Sequence, residues 1–167
     1  MKELDLLVSA LPRSGTRSAS IYYNVGHEKL NARGTSSCFY WRGSWPEGFH
    51  EGDDLVTFRN HIHLVRHPLK CIASMKSIVG RDHQAWAQEN DLMERTGNKL
   101  YKCMDFWVKQ NRAMFGDVVQ MESLEELPHK NKSSGFRKAQ PLTWEDLSST
   151  SPSLTDHIKE LSIAYGY

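Results

Sequence analysis

Residues 12 to 18 read Pro-Arg-Ser-Gly-Thr-Arg-Ser. Three hydroxyls (Ser14, Thr16, Ser18) and two guanidinium groups (Arg13, Arg17) surround one glycine, Gly15. Such a set suits an anion. Successive backbone N–H groups in a tight turn converge on phosphate or sulfate oxygens, hydroxyls add donors, and a guanidinium matches those oxygens with a planar fork. A second set lies within His63–Ser74, where Arg66, Pro68 and Ser74 occur in that order. Arg66 follows an apolar run, and Ser74 falls eight residues later, two turns into a predicted helix. An Arg at a strand end and a Ser looking back from the next helix can grip one phosphate.

Leu4–Ala10 (LDLLVSA) is a compact apolar run and reads as a buried strand. A helix is predicted from about Thr16 to Asn24, which puts the first set in a strand–loop–helix turn. Leu55–Phe58 and His61–Val65 read as strands, the second ending at Arg66. Pro68 suits the first turn of a helix, with Leu69, Ile72, Met75 or Lys76, and Val79 on one face and Gly80 as its stop. Leu100, Met104, Trp107, Asn111 and Met114 keep helical spacing up to Gly116, and Asp117–Met121 reads as a strand. Thr143 to Asp146 has the form of a capping box, and Ser151-Pro152 opens a last helix with Leu154, Ile158, Leu161 and Tyr165 inward. Residues 26 to 54 are rich in Gly, Ser, Trp and charge and are expected to be irregular and substrate-facing. Alternating strands and helices predict an α/β fold with a parallel sheet. Ligands bind such sheets at the carboxyl edge of the strands, where both polar sets stand.

The bulk properties narrow the possibilities. A length of 167 residues suits a single domain, 1–167. The net charge is +1 and the mean hydropathy −0.58. No global basic field points to nucleic acid or membrane as a partner, so the anion site must be local. The three cysteines show no CxxC spacing, which fits a reducing compartment, with Cys71 and Cys103 as buried small hydrophobes. Glu3 and Asp5 stand where a signal peptide would be basic, and no apolar run reaches membrane-spanning length, so the expected location is cytoplasmic.

Ala10 and Gly15 have the separation of a nucleotide-triphosphate loop, but Thr16 stands where the phosphate-binding Lys belongs, and no strand ends in a metal-holding Asp. The loop keeps the anion cradle and drops the magnesium-dependent parts. In this it resembles the sulfotransferase superfamily, whose 5′-phosphosulfate loop reads Pro-Lys/Arg-Ser-Gly-Thr-Thr/Ser. Pro12–Thr16 match and Arg17 departs. Arg66, Pro68 and Ser74 match the spacing of the family's 3′-phosphate motif. Val25-Gly26-His27-Glu28, Phe106-Trp107 through Asn111, Gln120–Leu124, Leu142–Leu147 and Tyr165–Tyr167 are similar, less specifically, to bacterial and phage members. Lys130–Lys138 sits where relatives place a loop over the 3′-phosphate. The chain is short for the family.

This resemblance implies a P-loop-like three-layer α/β/α fold with a small, mainly parallel sheet. It implies 3′-phosphoadenosine 5′-phosphosulfate (PAPS) as co-substrate, the 3′,5′-bisphosphate (PAP) as product, no metal, and a hydroxyl or amine acceptor on a small molecule or carbohydrate. The nucleotide would be held by Arg13, Ser14, Gly15, Thr16, Arg17, Ser18, Arg66, Ser74, Lys132 and Ser133. Sulfuryl transfer is positioning plus charge stabilisation, with attacking oxygen, sulfur and leaving oxygen in line. Relatives often place Lys at the developing charge. Arg13 would act there electrostatically, since a guanidinium with pKa above ~12 keeps its proton. The base candidates are Glu28 first, His27 next, and His63, a strand residue of a kind more often structural. His61, His63 and His67 have spacing that permits a metal, but no Cys or acid nearby completes a set. Phe39, Tyr40, Trp41, Trp45 and Phe49 either stack on an acceptor or cover the core. Three other readings stay open: a member that binds the nucleotide without transfer, a small P-loop kinase, and a nucleic-acid binder using the late basic loop.

Overall fold

The computed structural model describes residues 2–38, 56–77, 97–124 and 139–167. They fall into two compact units, one drawn from Met1–Arg66 and Ala113–Leu127, the other from His67–Arg112 and Pro128–Tyr167.

The first unit holds a five-stranded sheet in the order β2-β3-β1-β4-β5, with every pairing parallel. Strand β1 (Lys2–Ala10) is central, and Leu7, Val8 and Ala10 are all fully buried. A strand buried on both faces carries a continuous apolar run rather than an alternating one, which is how LDLLVSA reads. Helix α1 spans Thr16–Tyr22, two residues short of the expected Asn24, which is left-handed at φ 54. Val8 and Ala10 pack with Ala19 of α1, with Leu64, and with Met121 and Leu124.

Two features depart from expectation. Residues 26 to 38, expected to be irregular, contain the strands β2 (Gly26–His27) and β3 (Gly34–Ser37). The segment Gly-Thr-Ser-Ser offers no hydropathy signal, yet all four residues of β3 are buried. It is specified by close approach: a Cβ on Gly34 would collide with the carbonyl of Leu6 on β1. The two runs around residues 55–65 form one strand, β4 (Val56–Val65). Its polar middle does not break it, because Arg59 and Asn60 are exposed and bond back to β1. Arg59 Nε donates to Glu3 at 2.8 Å and Asn60 Nδ2 to the Asp5 carbonyl at 3.1 Å. Strand β5 (Asp117–Gln120) pairs with β4, and Met121–Leu124 form a 3₁₀ turn rather than extending the strand.

The second unit is helical in its described residues: α2 (Pro68–Lys76), α3 (Lys99–Ala113), α4 (Trp144–Thr150) and α5 (Pro152–Ala164). Pro68 opens α2, and the Thr143 capping box and the Ser151 N-cap form as their sequences predict. The buried face of α5 is turned from the expected one, with Thr155, Ile158 and Ser162 inside and Leu154, Leu161 and Tyr165 half-buried. Thr155 and Ser162 tolerate burial because their hydroxyls donate to the carbonyls four residues back, each at 2.8 Å. Cys71 and Cys103 are fully buried, and burial pushes the Cys103 thiol up to about 12.

The chain is therefore an α/β protein with an all-parallel sheet. Among the described residues, no helix is long and apolar enough to cross a membrane.

Candidate functional site

In the register of the sheet Ala10 lies opposite Leu64, so β1 and β4 end at the same edge. That edge receives the loop Leu11–Gly15 from one strand and Arg66 from the other. The loop begins as a tight turn in which Ser14 N–H donates to the Leu11 carbonyl at 3.0 Å. Pro12 supplies the fixed φ of the first central position. The second, Arg13, has φ 73. Turns of this shape take Gly or Asn there, and an L side chain costs about 1–2 kcal/mol. Gly15 is left-handed too, at φ 95 and ψ 27, and a Cβ on it would strike the Met121 thioether. Left-handed residues on either side of Ser14 curl the main chain in the manner of an anion nest.

Gly15 is also the N-cap of α1. It has no side chain to cap the helix, and the first turn holds no acid. The first-turn N–H groups are thus unclaimed by a cap, and no carboxylate there repels an anion. Ser14 and Thr16 are buried, Ser18 is half-buried and Arg17 is exposed.

Arg66 reaches across the edge. Its Nη1 donates to the Arg13 carbonyl at 2.9 Å. Its Nε is buried and has no hydrogen-bond partner, and Arg66 forms no ion pair among the described residues. A partly buried guanidinium without a carboxylate is an unbalanced charge that an anion would satisfy.

A second polar chain starts at Thr16 and runs toward β3. Thr16 Oγ1 lies 3.1 Å from His27 Nε2. The same nitrogen lies 3.9 Å from Glu28 Oε1. Glu28 is left-handed at φ 52, and its carboxylate accepts from Ser37 Oγ at 2.7 Å and from Cys38 N–H at 3.1 and 3.2 Å. Glu28 thus ties off the end of β3, while the His27 side chain is 41% exposed. The Cys38 thiol is pushed well above its ordinary range, first by burial and then by the Glu28 carboxylate, so it stays protonated and is no nucleophile.

The structure brings together Arg13, Ser14, Gly15, Thr16 and Arg66, and joins Thr16 to His27 and Glu28. Ser74 is buried on α2, in the second unit. His63 is 2% exposed and sits mid-sheet opposite Ser9 and Val118, closed to any acceptor from solvent. The His61 ring packs on Phe58 and Phe115 at centroid distances of 6.2 and 4.7 Å. Lys132, Ser133 and the aromatic residues 39–49 lie outside the described residues.

Sequence reasoning missed Ser37, Cys38 and Met121. Ser37 ends a strand without apolar signal and Cys38 follows it, and Met121 becomes the floor of the loop only through the pairing of β5.

The fold is α/β, and the tight turn of residues 11–15 and Arg66 stand together at the carboxyl edge of its parallel sheet. Comparison with family models, with curated proteins and with solved structures returns no match.

Proposed function

We propose that this chain binds PAPS through residues 12–18 and Arg66 and transfers its sulfuryl group to a hydroxyl or amine acceptor, a small molecule or carbohydrate. The observation that carries this reading is the hydrogen bond from Arg66 to the Arg13 carbonyl. Two segments 53 residues apart, each resembling one half of a bisphosphate site, meet at one edge of the sheet. An ordinary strand–helix turn needs no such partner.

In this reading the curled loop and the start of α1 hold the 5′-phosphosulfate, with Ser14, Thr16 and Ser18 as hydroxyl donors. Arg66 holds the 3′-phosphate with the N–H groups not given to Arg13, and the resemblance assigns Ser74, Lys132 and Ser133 to the same phosphate. Arg13 and Arg17 offset charge on the sulfuryl and bridging oxygens, an electrostatic role that needs no proton transfer. His27 and Glu28 stand next to Thr16 as bases for the acceptor. Glu28 already accepts two protein donors, which leaves His27 the more available.

Calorimetry tests the reading. PAP should bind without magnesium and more tightly than ATP with magnesium, and Arg66→Ala should lose at least hundredfold in affinity, the weight of about 3 kcal/mol of charged hydrogen bonding. Preference for ATP, or no binding of PAP, overturns it. The strained, proton-retaining Arg13 favours one second reading, a nucleotide binder without transfer. Sulfate turnover from PAPS against an acceptor panel separates the two.

A further inference from the structure

The contact between Thr16 and His27 raises a question of proton direction. Thr16 belongs to the anion loop, yet its hydroxyl is 3.1 Å from His27 Nε2. If Nε2 carries a lone pair, Thr16 must donate to it. The threonine oxygen then turns its own lone pairs toward the loop and repels an anion. If Nε2 carries a proton, it donates to Thr16 Oγ1, and the threonine proton is free to point into the loop. One nitrogen therefore decides whether Thr16 is a donor or an obstacle.

The surroundings of that nitrogen favour the proton. Glu28 Oε1 lies 3.9 Å from the same Nε2. A lone pair there would face a carboxylate, whereas an N–H is attracted to it. The carboxylate cannot swing away at little cost. Ser37 Oγ and the Cys38 N–H both donate to it, and the Glu28 backbone is itself held left-handed, with its N–H donating to the Ser36 carbonyl at 3.0 Å.

We infer that His27 is a positioning residue that holds Nε2–H against Thr16 and so turns the Thr16 hydroxyl proton toward the bound anion, with Glu28 fixing the tautomer. The inference rests on the proposed nucleotide site and adds to it a role for His27 exerted through Thr16. It also leaves Nδ1 as the imidazole nitrogen with a lone pair, the one open to an acceptor proton.

The test combines nitrogen-15 NMR of the His27 ring with calorimetry of PAP and of inorganic pyrophosphate. In the free wild-type protein the ring should show the Nε2–H form, and Glu28→Gln should shift the population toward Nδ1–H. His27→Ala should weaken anion binding about tenfold, one hydrogen bond to a charged group. His27→Gln, whose amide N–H can replace Nε2–H, should recover most of that loss. Thr16→Ala should weaken binding by a similar factor, and His27→Ala should then add little, since the imidazole acts only through the hydroxyl. A lone pair on Nε2 in the free protein, or unchanged affinity in His27→Ala, overturns the inference. These outcomes are distinct from failure of the nucleotide reading. If pyrophosphate binds with the expected dependence on His27 and PAP does not bind, the role of His27 stands and the nucleotide is wrong. If PAP binds and His27→Ala binds it equally well, the nucleotide stands and the role of His27 is wrong.

Discussion

Helices α1 and α4 begin in opposite ways. Helix α1 starts from Gly15 at φ 95, with no side-chain cap and no acid in its first turn. Helix α4 starts from Thr143, whose hydroxyl accepts from Asp146 N–H at 3.2 Å while the Asp146 carboxylate accepts from Thr143 N–H at 2.8 Å. The second start is closed on itself. Two of its donors, the Thr143 and Asp146 N–H groups, are satisfied within four residues, and its acids already meet the positive end of the helix. The first leaves its donors open and spends backbone strain at Arg13 to shape the turn before it. The difference separates a helix end closed by its own side chains from one left uncapped, which in the proposed function meets the 5′-phosphosulfate. The two can be driven apart by mutation.

The largest effect is expected at Gly15. Gly15→Val places a β-branched residue at a left-handed position and drives it into Met121. It should cost on the order of 3 kcal/mol in unfolding free energy and abolish PAP binding. Full stability by chemical denaturation would mean that the loop does not depend on this conformation. Arg13→Gly comes next and carries the sharper contrast. It should weaken PAP about tenfold while raising stability by up to about 1 kcal/mol, the strain relieved less the entropy glycine adds to the unfolded chain. A simultaneous fall in both would show that Arg13 is there for the fold. Thr143→Ala should do the reverse of Arg13→Gly, lowering stability by about 1 kcal/mol with PAP affinity unchanged. Changed affinity would end the division between the two helix starts.

The smallest effect is a pH dependence of the closed start. The Thr143 N–H, and after it the Thr143 hydroxyl, hold the Asp146 carboxyl below the usual range. A lowered folded-state pKa means that its contribution is complete above the ordinary aspartate value and is lost as pH falls through the folded one. The stability difference between wild type and Thr143→Ala should therefore be complete above the ordinary aspartate value and narrow as pH falls through the folded-state one, leaving at low pH the part due to the hydroxyl accepting from Asp146 N–H. A constant difference throughout would assign the cap's effect to the hydroxyl alone.

Much of this was legible in the chain. LDLLVSA announces a strand buried on both faces, Thr143–Asp146 and Ser151-Pro152 announce helix starts, and Pro12 to Thr16 announce a tight turn into a helix, because each depends on neighbours within a few residues. The strand β3 was not legible, since Gly-Thr-Ser-Ser is buried by main-chain pairing on both sides and carries no apolar pattern. Nor was the rotation of α5, which depends on hydroxyls satisfied by the helix's own carbonyls.

By itself the sequence determined which residue types stand at each turn: a glycine where φ must be positive, hydroxyls and guanidinium groups around it, and an Arg at the end of an apolar run. Only the tertiary structure decided that Arg66 bonds to the Arg13 carbonyl, that His27 meets Thr16, and that Glu28 is tied to Ser37 and Cys38. Local chemistry is written in adjacent residues. These contacts instead follow from which strands lie side by side and in what register, and that is set by the summed packing and pairing of the whole sheet.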